Sequence, residues 1–168
     1  MSTLERSDAG EGWAHGRIGN VVFLCYETSV PEEAVELSFG FIDRSIEKHP
    51  GGIALVAMFG ERSPVPSAQA RQRIASHLKR HAEQLLIGCT VIEGESMSSM
   101  VKRVATTMVT TLVKPVYPHR ILRSAGAACD YVARKAVGDS GTALAQGTLF
   151  AAVTALRPYC SPVEHEAQ

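Results

Sequence analysis

Ile53 to Phe59 is an unbroken apolar run, set between the turn formers Pro50-Gly51-Gly52 and the polar break Glu61-Arg62-Ser63-Pro64. A run apolar on both parities suits a strand buried on both faces, with helices covering it, and the spacing predicts the central strand of the domain here. The flanking segments are amphipathic at helical period. Upstream, Ala34, Leu37, Phe41 and Ser45, with Ile42 and Ile46 alongside, mark one face of a helix. Ser29, Pro31 and Glu32 read as its capped start. Downstream, Ile74, Leu78, Ala82 and Leu85 mark a second helix over Ala68 to Leu86.

The remaining pattern extends this alternation. Trp13–Ile18 and Val21–Glu27, separated by Gly19-Asn20, predict an antiparallel pair whose first member, with His15 and Arg17, reads as an edge. Leu86–Ile92 predicts a strand after the second helix. From Met97 a third helix is expected, with Met100 or Val101, Val104, Met108 and Leu112 on its inner face and Pro115 beyond its end. His119–Arg123 reads as a short edge strand, and Ser124 as the cap of a fourth helix reaching about Ala136. Residues 1–12 are polar and predict a flexible tail. Residues 139–168 predict an extension: Thr142–Leu156 is Ala-rich but carries Gly147 and several Thr, which suggests a peripheral helix followed by a tail.

The expected fold class is therefore α/β, with a mixed, mostly parallel sheet of about five strands in the order β-β-α-β-α-β-α-β-α, in one domain over residues 13–138. That succession resembles the STAS domain, the fold of anti-sigma-factor antagonists and of the cytoplasmic part of anion transporters. VPSAQARQRI at the second helix, SSMVKRVATTMV at the third and PHRILRSAGAACDYVARKA near the end are similar to short stand-alone bacterial STAS-like chains of unassigned function. The resemblance implies a regulatory module that works by binding protein. In phosphorylation-switched members an Asp-Ser-Ser-Gly-type motif follows the third strand. Here that place holds Gly60-Glu61-Arg62-Ser63-Pro64-Val65-Pro66-Ser67, so Ser63 and Ser67 are candidates by position alone.

Composition narrows the function. In 168 residues, 17 basic and 17 acidic side chains cancel, so the field that would draw nucleic acid or an anionic membrane is missing. No apolar run approaches the ~18 residues of a membrane span. The start carries no secretory pattern, which makes the cytoplasm the expected compartment. Cys25, Cys89, Cys129 and Cys160 are scattered and read as free thiols, with Cys25 and Cys89, inside predicted strands, acting as small apolar residues.

Three constellations remain. His77 and His81 stand i, i+4 in HLKRH, the spacing of helical metal sites, but the zincin glutamate is missing and Lys79 and Arg80 lie between them. A solvated helix shoulder is expected there, without metal. Ser96 and Ser98, with Ser99, open the third helix beyond a strand end, where serines cap and where backbone N–H groups also hold anions. No GxSxG elbow or activated cysteine is present. Arg71, Arg73, Lys79 and Arg80 make the second helix basic, while Glu32, Glu33, Glu36, Asp43 and Glu47 make the first acidic. Those opposed faces predict docking of a protein partner or self-association. The expected protein is thus a non-catalytic interaction module without cofactor. A small-ligand or nucleotide sensor using residues 60–67 and 93–96 is the alternative, and a small enzyme the third reading.

Overall fold

The computed structural model describes residues 2–160, excepting the side chains of residues 108–113. Six strands form one mixed sheet in chain order: β1 (Glu5–Gly10), β2 (Trp13–Ile18), β3 (Val21–Tyr26), β4 (Ile53–Phe59), β5 (Leu85–Ile92) and β6 (His119–Leu122). The first three run antiparallel to their neighbours, and β3 to β6 are parallel. The parallel connections are α1 (Glu32–Lys48), α2 (Ala68–Arg80) and α3 (Met97–Val113); α4 (Ala125–Val132) and α5 (Gln146–Leu156) follow.

Alternation along the strands sorts the core into two layers. Val22, Leu24, Tyr26, Ile53 and Leu55 face α1, with Leu78 of α2 packed against them. Val21, Phe23, Cys25, Ala54, Val56 and Met58 face α4 and α5. As its double-parity pattern requires, β4 lies between two parallel partners and is covered on both sides.

Five expectations need correction. Glu5–Gly10 is a strand where a flexible tail is expected: an edge strand needs no apolar face, and β1 is held by its backbone ladder and by Glu5, which pairs with Arg17 and Lys48. Those two cations, Arg17 first, hold the Glu5 carboxyl below its usual range. With β1 outside it, β2 is fully buried rather than an edge. The helix expected to be peripheral is core, since Leu149, Ala152, Val153 and Leu156 recur at i, i+3, i+4 and i+7 and all are buried; packing overrides the weak propensity of its Thr and Gly. Residues 157–160, expected as tail, form a 3₁₀ turn that buries Cys160; the rest of that tail lies outside the described residues. Finally, Ser29 does not cap α1. Its hydroxyl donates to the Glu11 carbonyl, and α1 starts at Pro31 without a side-chain cap.

The Gly19-Asn20 turn does more than reverse the chain. Gly19 has φ +54°, and a Cβ there would meet the Val137 carbonyl oxygen at 2.0 Å. Asn20 donates from Nδ2 to the carbonyls of Gly52 (3.3 Å) and Lys135 (3.0 Å), and its Oδ1 accepts from the Val137 N–H (2.8 Å). One buried amide thus ties together the hairpin, the start of β4 and the end of α4.

Candidate functional site

Beneath α1, α2 and α3 the sheet does not close completely. A cavity of about 110 Å³ lies there, floored by Leu24, Leu55 and Phe59 and roofed by Ile74, Leu78 and Ala105. Gly88 helps to keep it open, because a Cβ there would stand 3.0 Å from the Tyr117 ring. Three of the polar groups on its wall are engaged: Thr90 Oγ1 with His119 Nε2 (3.3 Å), Ser38 Oγ donating to the Val35 carbonyl (2.6 Å), and Arg71 Nη1 donating to the Pro66 carbonyl (2.7 Å). Burial pushes the Tyr117 hydroxyl up to about 12 and holds His119 below the usual imidazole value. The space is apolar and lies inside the helical layer, reached by the 60–67 loop only through Pro66 and not by residues 93–96.

Those two loops are instead gripped by neighbouring cations of α3. Lys102 is almost fully buried, and its Nζ donates to the carbonyls of Gly60 (2.8 Å), Glu61 (3.0 Å) and Ser63 (3.1 Å). Burial lowers its pKa, against the pull of Glu61. Arg103 donates to the carbonyls of Ile92 (3.4 Å) and Gly94 (2.6 Å). Arg157 adds ion pairs to Glu93 and Glu27. Lys102→Met should cost about 2 kcal/mol, because the carbonyls of Glu61 and Ser63 lose a buried donor. Urea unfolding measures it, and an unchanged midpoint would show that the lysine is not needed to hold the loop.

The candidate serines separate accordingly. Ser63 is buried and its hydroxyl donates to the Gly60 carbonyl (3.0 Å). Ser67 is exposed and caps α2 by accepting from the Ala70 N–H (3.0 Å). Ser96 Oγ accepts from the Ser99 N–H (3.3 Å), and Ser99 donates to the Glu93 carbonyl (2.7 Å), which leaves Ser98 exposed on the first turn. The cysteines are free and buried. Cys25 is pushed up by its hydrogen bond to Cys160 and by burial, Cys89 to about 12 and Cys129 to about 11 by burial, so these thiols stay protonated near neutrality.

No protein-family model, no curated protein and no solved structure matches the chain. Function must therefore be read from the surfaces and sites themselves.

The opposed charges of α1 and α2 turn out to face one another. Arg73 pairs with Glu36, and Arg71 is spent on the Pro66 carbonyl, so only Lys79 and Arg80 of the expected basic docking surface stand exposed without an ion pair of their own among the described residues. Nor are His77 and His81 a solvated shoulder. His77 is 6% exposed and stacks on Phe39 at 4.4 Å between centroids, and His81 is half-buried. Asp43 of α1 comes up between them, with Oδ1 at 3.2 Å from His77 Nε2 and 3.0 Å from His81 Nε2. Spacing within α2 could reveal the two imidazoles but not a carboxylate supplied by another helix.

The third helix is rotated from its expected setting. Ser99, Lys102 and Ala105 are buried, while Met97 (74% exposed), Met100 (55%), Val101 (50%) and Val104 (58%) face outward. Met108 and Leu112, expected on the inner face, lie outside the described side chains. The reason is polar: Lys102 and Arg103 must reach the loop carbonyls, and turning them inward turns the apolar stripe out. No helix among the described residues is long and apolar enough to cross a membrane.

Proposed function

We propose that this chain is a non-catalytic, STAS-like interaction module whose working surface is the outer face of α3, and that the face is covered by the same face of a second copy. The observation that carries this is the stripe Met97, Met100, Val101 and Val104, four large apolar side chains at helix–helix spacing left in water. Self-pairing is favoured by charge. The only ionic residues of α3 are Lys102 and Arg103, and both are bound to loop carbonyls, so a two-fold arrangement brings no like charges together. Methionine adapts to either register. The contact is then apolar and salt-tolerant, unlike docking through Arg73 and Arg80.

Sedimentation equilibrium tests this reading. The wild-type chain should be dimeric, Val101→Glu/Val104→Glu should be monomeric with unchanged circular dichroism, and Arg73→Glu/Arg80→Glu should stay dimeric. A wild type that remains monomeric at the highest attainable concentration would overturn it. The cavity under α2 supports a second reading, sensing of a small apolar molecule, since a space lined mainly by apolar side chains accepts a compact apolar ligand.

A further inference from the structure

We infer that Asp43, His77 and His81 form a binding site for a divalent transition metal of the Zn²⁺ class, joining α1 to the C-terminal end of α2. The three donor atoms lie within 4.8 Å of one another. In a tetrahedral site with bonds of about 2.0 to 2.1 Å, neighbouring ligand atoms stand about 3.3 Å apart. The two Asp43–histidine separations, 3.2 and 3.0 Å, are close to that edge length.

Direction adds to distance. Asp43 Oδ1, His77 Nε2 and His81 Nε2 are all buried, and none has a hydrogen-bond partner. Each imidazole nitrogen is near enough to the carboxylate to bond to it, yet lacks the alignment of an N–H···O bond. The carboxylate oxygen thus stands within reach of both imidazole nitrogens without a hydrogen bond to either, and the two nitrogens lie within 4.8 Å of each other, so an ion binding between them draws the three side chains in by a small rotation. Left to themselves, three buried unsatisfied polar atoms would be costly, and a cation between them satisfies all three.

The surroundings favour such an ion. Two imidazoles and one carboxylate suit zinc and its neighbours rather than the all-oxygen sites of magnesium or calcium. Phe39 against His77 fixes one ring. The site sits on the last turn of α2, where the unpaired carbonyl end of a helix attracts positive charge. The nearby Arg80 opposes a cation there by its charge and Glu36 favours it. With three protein ligands, water takes the fourth position, and the metal staples α2, whose only fully buried residues are Ala70 and His77, to α1 above the cavity.

The test is Co²⁺ titration of the untagged chain. Wild type should take up one equivalent with the intense visible absorption of four-coordinate cobalt, Zn²⁺ should bleach it, and Zn²⁺ should raise the thermal midpoint. Because His77 is buried, the variants are His81→Ala and Asp43→Asn, checked for folding by circular dichroism; each should lose the absorption and the midpoint shift. Val101→Glu/Val104→Glu should keep both, which separates this site from the α3 interface. A wild type without the cobalt band, or folded variants that bind cobalt as well as wild type, would overturn the proposal and leave an ordinary histidine–aspartate contact.

Discussion

Val56→Asp is expected to destabilise the fold severely, removing most of its stability. Val56 is completely buried in the middle of β4, set beside Phe23 of β3 and Cys89 of β5 in the ladder and facing the α4/α5 layer. A carboxylate there finds only apolar neighbours such as Phe23, Ala128 and Val132. An unpaired buried charge costs several kcal/mol, about 4 or more, against a typical total stability of ~5 to 15 kcal/mol. Leu55→Asp, one residue away, should also destabilise by several kcal/mol but less, because Leu55 points into the cavity and the carboxylate can draw in water. Urea unfolding followed by circular dichroism ranks the two. If Val56→Asp shows a near wild-type midpoint, the two-faced burial of β4 is wrong.

Acid should weaken the fold through His15. Its ring is fully buried on β2 beside Trp13, Tyr26 and Phe41; Nδ1 has no partner, and Nε2 is 3.3 Å from the Tyr26 hydroxyl. Burial holds its pKa down to about 4 from 6.5, with the Asp8 charge pulling weakly the other way. The native state therefore keeps the ring neutral while the unfolded chain takes up a proton. Stability is full above pH ~6.5, falls as the pH drops toward 4, and levels off below, a loss of roughly 3 kcal/mol for this group. Burial lowers His49 and His119 in the same direction, so the measurement that isolates His15 is the comparison with His15→Leu. The variant should lose less stability between pH 7 and 4 than wild type. Parallel pH profiles would show that His15 carries no such load.

Much of this architecture is legible in the chain because apolar periodicity records burial. The double-parity run at Ile53–Phe59, the Gly19-Asn20 reversal and the short polar-ended strand at His119 each stand where their patterns put them. Apart from α5, where apolar packing overrides weak propensity, the misses come from polar groups with structural roles that hydrophobicity does not encode. Glu5 and Arg17 make an edge strand of a polar segment; Lys102 and Arg103 rotate α3 against its own apolar stripe; Asn20 clasps residues more than a hundred positions apart. In the histidine cluster, HLKRH showed two ligands on one helix, but Asp43 is 34 positions before His77 and enters by the packing of α1 on α2. Charge counted along the chain likewise says nothing of pairing within the fold, where Arg73 meets Glu36 across α1 and α2 while Lys79 and Arg80 stay exposed.

Strand order identical to chain order has a consequence for synthesis. Each strand that leaves the ribosome finds its partner already made, so the sheet can lengthen one neighbour at a time without waiting for a distant segment. Its second face cannot be sealed in the same way. Ala14 and Ile18 of β2 share their buried cluster with Leu149, Val153 and Leu156 of α5, which follow them by more than a hundred positions. A nascent chain paused before α5 would carry a paired sheet whose second face is covered by α4 alone, with the apolar side chains of β2 left wet until α5 closes over them.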